Sequence, residues 1–431
     1  MEQFVIEGGH RLNGEIKASG NKNAALKLIA AALLTDEPVI LRNVPDIADV
    51  HTMCDIVRGL GPSVEWLSDD VLRIHAKQIT THRADPALTQ KIRASIVLAG
   101  PMLARYGALE LAAPGGDVIG RRRLDTHILA LQRLGVSIDF ADGFHMTTDG
   151  LKGANILLDE ASVTATENAI MASALAKGTT IIRNAASEPH VQDLCNFLVQ
   201  CGAQIEGIGS NLLTIHGVER LNGTEFRVGA DFMEVGSFIG AAVVTGGSIR
   251  IKEADPQHLE MIQLVFGRLG VVWEVDGQDI VVPRAQPLTI VQDLGNRIPV
   301  IRAQPWPAFP TDMMSIALLV ATQARGAVLF HEWMYDARFF FTDKLISMGA
   351  RIVLCDPHRA LIQGPTPLRG NVTITSPDIR AGMTLLLAAL CAEGVTTIRN
   401  IRQIDRGYEH VEDKLRALGA HIERQSIREP A

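Results

Sequence analysis

The sequence predicts an α/β protein with mixed sheets, built from six related units. A glycine that ends a helix and precedes a short β-run recurs at spacings of 74, 67, 68, 79 and 70 residues, close to one sixth of the 431-residue chain. Three units in each of two globular halves fit this length better than a solenoid, whose repeats usually span ~20 to 50 residues. The recurring glycines are Gly61, Gly135, Gly202, Gly270, Gly349 and Gly419.

Each unit alternates β-runs with helices. The helix before Gly61 carries apolar residues at steps of three and four, from Val50 to Leu60, as one buried helix face requires. EPVILRNVPD, KGTTIIRNAASEP and EGVTTIRNIRQID each predict a β-branched strand that ends in an Arg-Asn turn. AALKLIAAALL, ENAIMASALA and MTLLLAALCA are apolar on nearly every face, which predicts helices enclosed by sheet.

Composition excludes several classes of protein. Lys and Arg total 41 against 48 Asp and Glu, and this net charge of -7 disfavours a nucleic-acid clamp or a binder of anionic membranes. The N-terminus lacks the pattern of a secretory signal, and the apolar runs are shorter than a membrane span of ~20 residues. Five cysteines without a CxxC pair indicate neither a zinc knuckle nor a disulfide framework, and favour a reducing cytoplasm. We expect no metal and no cofactor.

Two segments place cations where helices begin. Lys22 opens a helix after Ser19-Gly20-Asn21, where a cation opposes the helix dipole unless an anion binds. The alternative is a solvated lysine beside a capping Asn21. PGGDVIGRRRLDTH, residues 114–127, combines three glycines that let the backbone approach a ligand with three arginines and the acid Asp117. It predicts a phosphate clamp or, alternatively, a hairpin and a basic helix start.

Acidic residues stand out in the second half. Asp312 follows two prolines and enters an apolar helix, where burial is expected to raise its pKa and suit it to general-base work. A helix N-cap formed by Thr311 or Asp312 is the alternative. An acid also precedes an arginine in three turns, which indicates either a shared anion site or surface ion pairs. These turns are Asp336-Ala337-Arg338, Asp378-Ile379-Arg380 and Asp405-Arg406.

Eight segments, in order from Ser19 to Ala420, resemble the UDP-N-acetylglucosamine enolpyruvyl transferase family, and the resemblance extends from Phe4 to Arg424. They are SGNKNAALKL, RASIVLAGPMLAR, PGGDVIGRRRLDTH, SVTATEN, AFPTDMM, DARFFFTDKLISMGA, DIRAG and IDRGYEHVEDKLRALGA. The resemblance implies a two-domain inside-out α/β barrel with six βαβαββ repeats. One domain would be residues 22–229 with the catalytic loop, and the other residues 1–21 plus 230–431.

The resemblance also implies a reaction. A cytoplasmic enzyme of this family transfers the enolpyruvyl group of phosphoenolpyruvate to the 3′-hydroxyl of UDP-N-acetylglucosamine and releases phosphate, the first committed step of peptidoglycan synthesis. It uses no cofactor, and we expect no nucleic acid, membrane or obligate protein as a partner.

Residue roles are implied by the matching motifs. Lys22, Arg122 and Arg406 would bind the phosphate and carboxylate of phosphoenolpyruvate, with Arg338 and Arg380 nearby. Asp312 would orient and deprotonate the sugar hydroxyl that attacks C2, and Asp117 would deliver a proton to C3, giving a ketal from which phosphate leaves. The implied UDP-sugar site comprises Asn23, Arg93, Arg123, Leu124, Asp125, Thr126, Glu160, Ser162, Val163 and Met334.

Several positions depart from the family pattern. Asp117 stands where most members have the cysteine that fosfomycin alkylates, so resistance to that drug is expected. Arg123, Glu160, Thr164 and Phe232 replace a usual Pro, Lys, Gly and Arg. A relative acting on another nucleotide or nucleotide sugar, or a catalytically silent UDP-sugar-binding paralogue, is therefore an alternative. The shikimate-phosphate relative is disfavoured because its Gly-Asn-Ala-Gly-Thr and Met-Arg-Pro motifs are missing.

Overall fold

The computed structural model describes residues 2–116, 120 and 122–426. They form two compact units. The first unit comprises residues 20–116 and 122–229, and the second comprises residues 2–19, 120 and 230–426. Asp117, the predicted loop acid, lies outside the described residues.

The described strands are short, as expected for units of this length. They are β1 (Glu2–Glu7), β2 (Asn13–Lys17), β3 (Val39–Arg42), β4 (Ser63–Ser68), β5 (Val71–His75), β6 (Ala108–Leu111), β7 (Ser137–Phe140), β8 (Phe144–Thr147), β9 (Asn155–Leu157), β10 (Thr179–Arg183), β11 (Gln204–Glu206), β12 (Leu212–His216), β13 (Glu225–Arg227), β14 (Ser248–Lys252), β15 (Glu274–Asp276), β16 (Asp279–Val282), β17 (Val300–Arg302), β18 (Gly326–His331), β19 (Ile352–Asp356), β20 (Arg359–Gly364), β21 (Val372–Thr375), β22 (Val395–Arg399) and β23 (His421–Ser426).

The helices alternate with these strands. They are α1 (Lys22–Ala31), α2 (Ala48–Gly59), α3 (Pro86–Thr89), α4 (Ala99–Tyr106), α5 (Asp125–Arg133), α6 (Val163–Ala174), α7 (Pro189–Gln200), α8 (Phe232–Thr245), α9 (Glu260–Arg268), α10 (Met314–Gln323), α11 (Thr342–Ser347), α12 (Ile379–Cys391), α13 (Arg402–Asp405) and α14 (Val411–Ala417). Short 3-10 turns cover Ala32–Leu34, Arg93–Leu98, Pro256–His258 and Thr311–Met313.

The first unit contains three described sheets, ordered β13-β3-β5-β4, β6-β8-β7 and β11-β12-β10-β9. In the two four-stranded sheets one edge pair is parallel, β3 with β13 and β10 with β9, and the other pairs are antiparallel. Helices α1 and α6 are buried along almost their whole length and carry Ala, Leu and Ile into the core. The prediction of apolar helices surrounded by mixed sheet is confirmed here.

The second unit repeats this plan with sheets β21-β22-β1-β23, β15-β16-β14-β2 and β17-β18-β20-β19. Strand β1 lies antiparallel between β22 and β23, and β2 lies parallel to β14, so the N-terminal residues complete two sheets of this unit. Helices α8, α10 and α12 contact one another at its centre and are buried on nearly every face.

The predicted turn chemistry is also found. Asn43, Asn184 and Asn400, which follow strands β3, β10 and β22, adopt left-handed backbone with φ of 58°, 59° and 58°. Asparagine tolerates this region better than most residues because its short side chain bonds locally. Gly61 has φ of 120°, and a Cβ there would lie 2.7 Å from the Thr80 nitrogen, so the terminator must be glycine.

Within the described part of the chain, every helix is too short or too polar to cross a bilayer.

Candidate active site

Asp312 lies in a 3-10 turn that leads directly into α10. Pro310 before it is extended, with φ of -72° and ψ of 138°, and neither Thr311 nor Asp312 caps the helix with its side chain. The N-cap alternative is therefore wrong. The Asp312 side chain is 28% exposed, so it is partly accessible to a ligand.

Two arginines hold the Asp312 carboxylate. Arg338 Nη2 donates to Oδ1, and Arg380 Nε donates to Oδ2 at 3.1 Å. Both arginine side chains are buried, with 4% and 7% exposure. These contacts bring three of the predicted site residues together, and they are not the surface ion pairs that formed the alternative interpretation.

The pKa of Asp312 moves opposite to the sequence-based expectation. Burial raises it, as predicted, but the charges and hydrogen bonds of Arg380 and Arg338 lower it further, and the net pKa lies well below that of an ordinary aspartate. The predicted increase is therefore wrong. Asp312 is a permanently charged hydrogen-bond acceptor at neutral pH.

Arg338 is positioned by a second acid that sequence analysis missed. Its Nε approaches Thr311 Oγ1 at 3.4 Å, and the Thr311 hydroxyl donates to Glu332 Oε2 at 2.5 Å. Glu332 Oε1 accepts the backbone N–H of Met334 at 2.8 Å, which fixes another predicted residue. Burial raises the pKa of Glu332. The sequence signal that could have identified Glu332 is its position as a charged residue directly after the apolar strand β18.

Arg380 lies in the first turn of α12 and is packed from several sides. Asp378 caps this helix by accepting the N–H groups of Arg380 and Ala381 at 2.8 and 3.0 Å. The guanidinium lies 5.5 Å from the centre of the Tyr408 ring, and Nη2 contacts Met233 Sδ at 3.0 Å. Its buried Nη1 has no hydrogen-bond partner among the described residues, so one charged donor remains for an anion.

The acids of the three predicted turns do not share one role. Asp336 faces His358 at 3.7 Å, and Asp378 is the helix cap, 4.0 Å from Arg338. Asp405 receives two hydrogen bonds from Arg424, at 2.6 and 3.1 Å. Arg406 Nη1 donates to Gln403 Oε1 at 2.8 Å. The sequence predicted that each acid would orient the arginine that follows it toward a shared anion. In these contacts, Asp336 and Asp405 do not have that role.

Lys22 is the first residue of α1 in the first unit, next to the capping Asn21. Its ammonium lies 2.7 Å from Asp49 of α2, and both side chains are 7% exposed. The alternative of a solvated lysine is wrong. A buried cation at a helix start is costly unless it is paired, and Asp49 supplies that charge.

The glycines before the loop serve the backbone of this unit. A Cβ on Gly115 would lie 1.7 Å from the Gln90 carbonyl oxygen, and one on Gly116, where φ is 111°, would lie 2.9 Å from Arg93 Cβ. Gly115 and Gly116 therefore allow this segment to pack closely against Gln90 and Arg93. The predicted loop acid Asp117 follows directly but is outside the described range.

Arg93 and Arg123 organise the basic segment. Arg93 Nη2 donates to the carbonyl oxygens of Arg122 and Arg123 at 2.8 and 2.9 Å. Arg123 then pairs with Asp125 at 3.2 Å and Asp159 at 2.9 Å. The helix start predicted after the arginines is found, since α5 begins at Asp125.

Other predicted first-unit residues lie around the starts of α5 and α6. Thr126 donates to Asp159 Oδ1 at 2.7 Å, and Leu124 and Val163 pack on the core. Ser162 precedes α6 without capping it, and its N–H donates to the Glu160 carbonyl oxygen at 2.8 Å. Asn23 is half-buried in α1. A cavity of about 390 Å³ on α5 is lined by Asp125, Ile128, Leu129, Gln132 and Arg133.

Comparison with known proteins identifies the family. A model of the EPSP synthase (3-phosphoshikimate 1-carboxyvinyltransferase) family matches residues 6–415. The chain belongs to the EPSP synthase family. The predicted membership among enolpyruvyl transferases is confirmed.

Curated relatives of this EPSP synthase-family chain share a more specific name. Proteins from Bradyrhizobium diazoefficiens and Treponema denticola are 56% and 53% identical to it, over 98% of this chain and 98% and 99% of theirs. A protein from Bacteroides thetaiotaomicron is 48% identical over 98% of this chain and all of its own length. All three are called UDP-N-acetylglucosamine 1-carboxyvinyltransferase.

Solved structures confirm the predicted inside-out α/β fold. The enolpyruvyl transferase NikO from Streptomyces tendae is 26% identical, with a TM-score of 0.87 over 99% of both chains. EPSP synthase from Acinetobacter baumannii is 17% identical, with a TM-score of 0.76 over 99% of this chain and 100% of its own, and shows similarity of fold alone.

One departure from the family pattern has a structural explanation in this enolpyruvyl transferase. Thr164, in place of the usual glycine, lies 3.0 Å from Nε2 of the buried His127. Asn168 Nδ2 donates to His127 Nδ1 at 2.9 Å, while its carbonyl oxygen accepts the Gly100 N–H at 2.8 Å. Since Nδ1 accepts, the ring proton is on Nε2 and is donated to Thr164. Sequence analysis missed His127.

Proposed function

We propose that this chain transfers the enolpyruvyl group of phosphoenolpyruvate to the 3′-hydroxyl of UDP-N-acetylglucosamine and releases phosphate, the first committed step of peptidoglycan synthesis. The observation that carries the proposal is the Asp312 carboxylate, which Arg338 and Arg380 anchor and which remains partly exposed. The shared name of relatives at 48–56% identity supports the two substrates.

Asp312 orients the sugar hydroxyl by accepting its hydrogen bond. Its low pKa makes it a weak base toward a free alcohol, so proton transfer accompanies attack rather than preceding it. As the hydroxyl oxygen bonds to C2 of phosphoenolpyruvate, its proton becomes acidic and passes to Asp312. The double-bond electrons take a proton at C3 from the Asp117 carboxyl group. As the resulting ketal expels phosphate, the Asp117 carboxylate accepts a proton from C3, which restores the enol ether.

Cations bind the anionic substrate. We assign Lys22, Arg122 and Arg406 to the phosphate and carboxylate of phosphoenolpyruvate, with Arg338 and Arg380 adding positive potential. Charge-assisted hydrogen bonds of this kind are about twice as strong as neutral ones, and guanidinium matches both groups geometrically. The unpartnered Nη1 of Arg380 supports this assignment because a buried charged donor is costly without an acceptor.

The UDP-sugar is assigned to the residues implied by the motifs. The ordered contacts of Arg93 with the Arg123 carbonyl oxygen, and of Arg123 with Asp159, support a polar ligand there. The group comprises Asn23, Arg93, Arg123, Leu124, Asp125, Thr126, Glu160, Ser162, Val163, Asp312 and Met334.

We further propose that the two units are the two transferase domains, residues 22–229 and residues 1–21 plus 230–431. The enzyme would work in the cytoplasm without a cofactor, nucleic acid, membrane or obligate protein partner.

Phosphate release tests the proposal. The full chain, given phosphoenolpyruvate and a panel of UDP-sugars, should release phosphate fastest with UDP-N-acetylglucosamine. Asp312→Asn should lose turnover by about 10²- to 10⁴-fold with little change in UDP-sugar affinity. Asp343→Asn, an exposed aspartate on α11, is the matched control.

Three outcomes would contradict the proposed function. Release with another nucleotide sugar alone would place the chain with the alternative substrates. Equal losses of binding and turnover in Asp312→Asn would give Asp312 a structural role. UDP-sugar binding without any turnover would favour the silent paralogue.

A further inference from the structure

Three potential metal ligands meet at the ends of the first and last strands of the second unit. One ligand atom from each of Glu7, His10 and His421 lies within 4.8 Å of the other two. Glu7 Oε1 is 3.6 Å from His10 Nε2, and Glu7 Oε2 is 3.3 Å from His421 Nδ1. None of the three belongs to the proposed active site.

The backbone fixes this arrangement. Glu7 ends β1 and is the direct antiparallel partner of His421, which begins β23. The Gly8 and Gly9 N–H groups donate to the carbonyl oxygens of Gly394 and Leu390 at 3.0 and 2.9 Å, and a Cβ on Gly8 would lie 2.1 Å from the Ala392 oxygen. The chain therefore turns tightly after β1.

The turn returns His10 over His421. Their ring centroids are 3.7 Å apart, with an angle of 25° between the ring planes. The side chains remain accessible, with 60% exposure for Glu7, 36% for His10 and 56% for His421. Both accessible rings can therefore rotate to coordinate an ion without disturbing the core.

The donor set selects the class of ion. Two imidazoles and one carboxylate suit Zn²⁺, Ni²⁺ or Cu²⁺, whereas Mg²⁺ and Ca²⁺ prefer oxygen ligands. Ligands bind Zn²⁺ at about 2.0–2.2 Å, so ligand atoms around one ion are about 3.3 Å apart. The separations of 3.3 Å from Glu7 Oε2 to His421 and 3.6 Å from Glu7 Oε1 to His10 are close to that spacing.

We propose that Glu7, His10 and His421 bind one divalent transition-metal ion, Zn²⁺ foremost, with water completing its coordination. The ion would link β1, the turn after it and β23. Because the three ligands come together only in the folded chain, binding would stabilise the second unit against unfolding.

Calorimetric titration of the metal-free full chain with ZnCl₂ tests the proposal. We expect one equivalent to bind and the thermal unfolding midpoint to rise with Zn²⁺. His421→Ala and His10→Ala should each lose at least tenfold in affinity and most of that rise. His82→Ala is the matched control, because His82 is an exposed histidine that faces Glu110 at 3.5 Å in the first unit, and it should bind like the unchanged protein.

The absorption spectrum of bound Co²⁺ distinguishes this site from a site with a cysteine thiolate ligand. Bound Co²⁺ should give visible bands without the charge-transfer band of a cysteine ligand such as the exposed Cys355. Thermal unfolding midpoints measured without metal show whether each variant folds. If His421→Ala is unstable, His10→Ala is the second variant, because residue 10 lies outside the strands. Equal affinity in the histidine variants and the unchanged chain, a thiolate band, or no binding at millimolar Zn²⁺ would overturn the proposal.

Discussion

Arg380 Nε donates to Asp312 Oδ2 at 3.1 Å from the start of a helix 68 residues further along the chain. This contact and the one from Arg338 reverse the effect of burial on the Asp312 pKa. The proposed reaction uses a charged carboxylate, so the arginines set the lower pH limit of activity.

Arg380→Ala should therefore raise the acidic pKa of the kcat profile, since burial of Asp312 would be opposed by one cation fewer. Turnover at neutral pH should also fall, by about 10²-fold or more, because the anion loses a donor. The pH dependence of phosphate release measures both effects, and Arg359→Ala, at an exposed ion pair with Asp356, is the control. If the acidic limb of the kcat profile is unchanged in Arg380→Ala, then Arg380 does not lower the pKa of Asp312.

The low Asp312 pKa also predicts a direction for stability. An aspartate with a folded-state pKa below its unfolded value contributes stability that is complete above the unfolded pKa of ~3.9 and is lost as pH falls through the folded value. In denaturant unfolding, the free energy of unfolding should therefore fall less below about pH 4 for Asp312→Asn than for the unchanged chain. An equal decline in the free energy of unfolding of both proteins would contradict the lowered pKa of Asp312.

Lys22 and Asp49 permit a test that separates folding from phosphoenolpyruvate binding. Lys22→Ala removes the ammonium that pairs with the buried Asp49, which should lower the free energy of unfolding by about 3–5 kcal/mol. Lys22→Ala with Asp49→Asn should recover much of that stability but not phosphoenolpyruvate use. Recovery of normal kinetics in the double variant would remove Lys22 from the anion site.

His127 should remain neutral throughout the physiological pH range. Burial, with the nearby charge of Arg93, lowers its pKa to about 3. Its unfolded pKa is ~6.5, so below that value only the unfolded state binds the proton, and stability should decrease as pH falls from about 6.5 toward 3. The denaturation midpoints at pH 7 and pH 5 should differ less for His127→Gln than for the unchanged chain. An NMR titration of His127 with a pKa near 6.5 would contradict the lowered pKa.

Asp117 predicts resistance to fosfomycin. A carboxylate attacks the epoxide more slowly than the usual loop thiolate, so the unchanged enzyme should keep its activity in the drug while Asp117→Cys is inactivated with time. Mass spectrometry should find the adduct on the introduced cysteine. Covalent labelling of the unchanged chain, or a resistant and fully active Asp117→Cys enzyme, would remove Asp117 from the reactive position.

The repeat and its elements follow from sequence because their signals are local. The apolar face that ends at Leu60, and the asparagines after β3, β10 and β22, depend on neighbours within a few residues. The same holds for the alanine-rich α1, α6 and α12, which are apolar on all sides and are buried. Motif order along the chain was enough to predict the family.

The behaviour of the site groups was decided by tertiary structure alone. The pKa of Asp312 depends on arginines 26 and 68 residues away, Lys22 is buried against another helix, and Glu7 meets His421 across 414 residues. Periodicity and turn chemistry act between near neighbours, whereas Coulombic energies and desolvation depend on distances that exist only after the chain folds. The sequence by itself determined the repeating architecture and the family, and the folded contacts decided which charges are buried, paired and held in place.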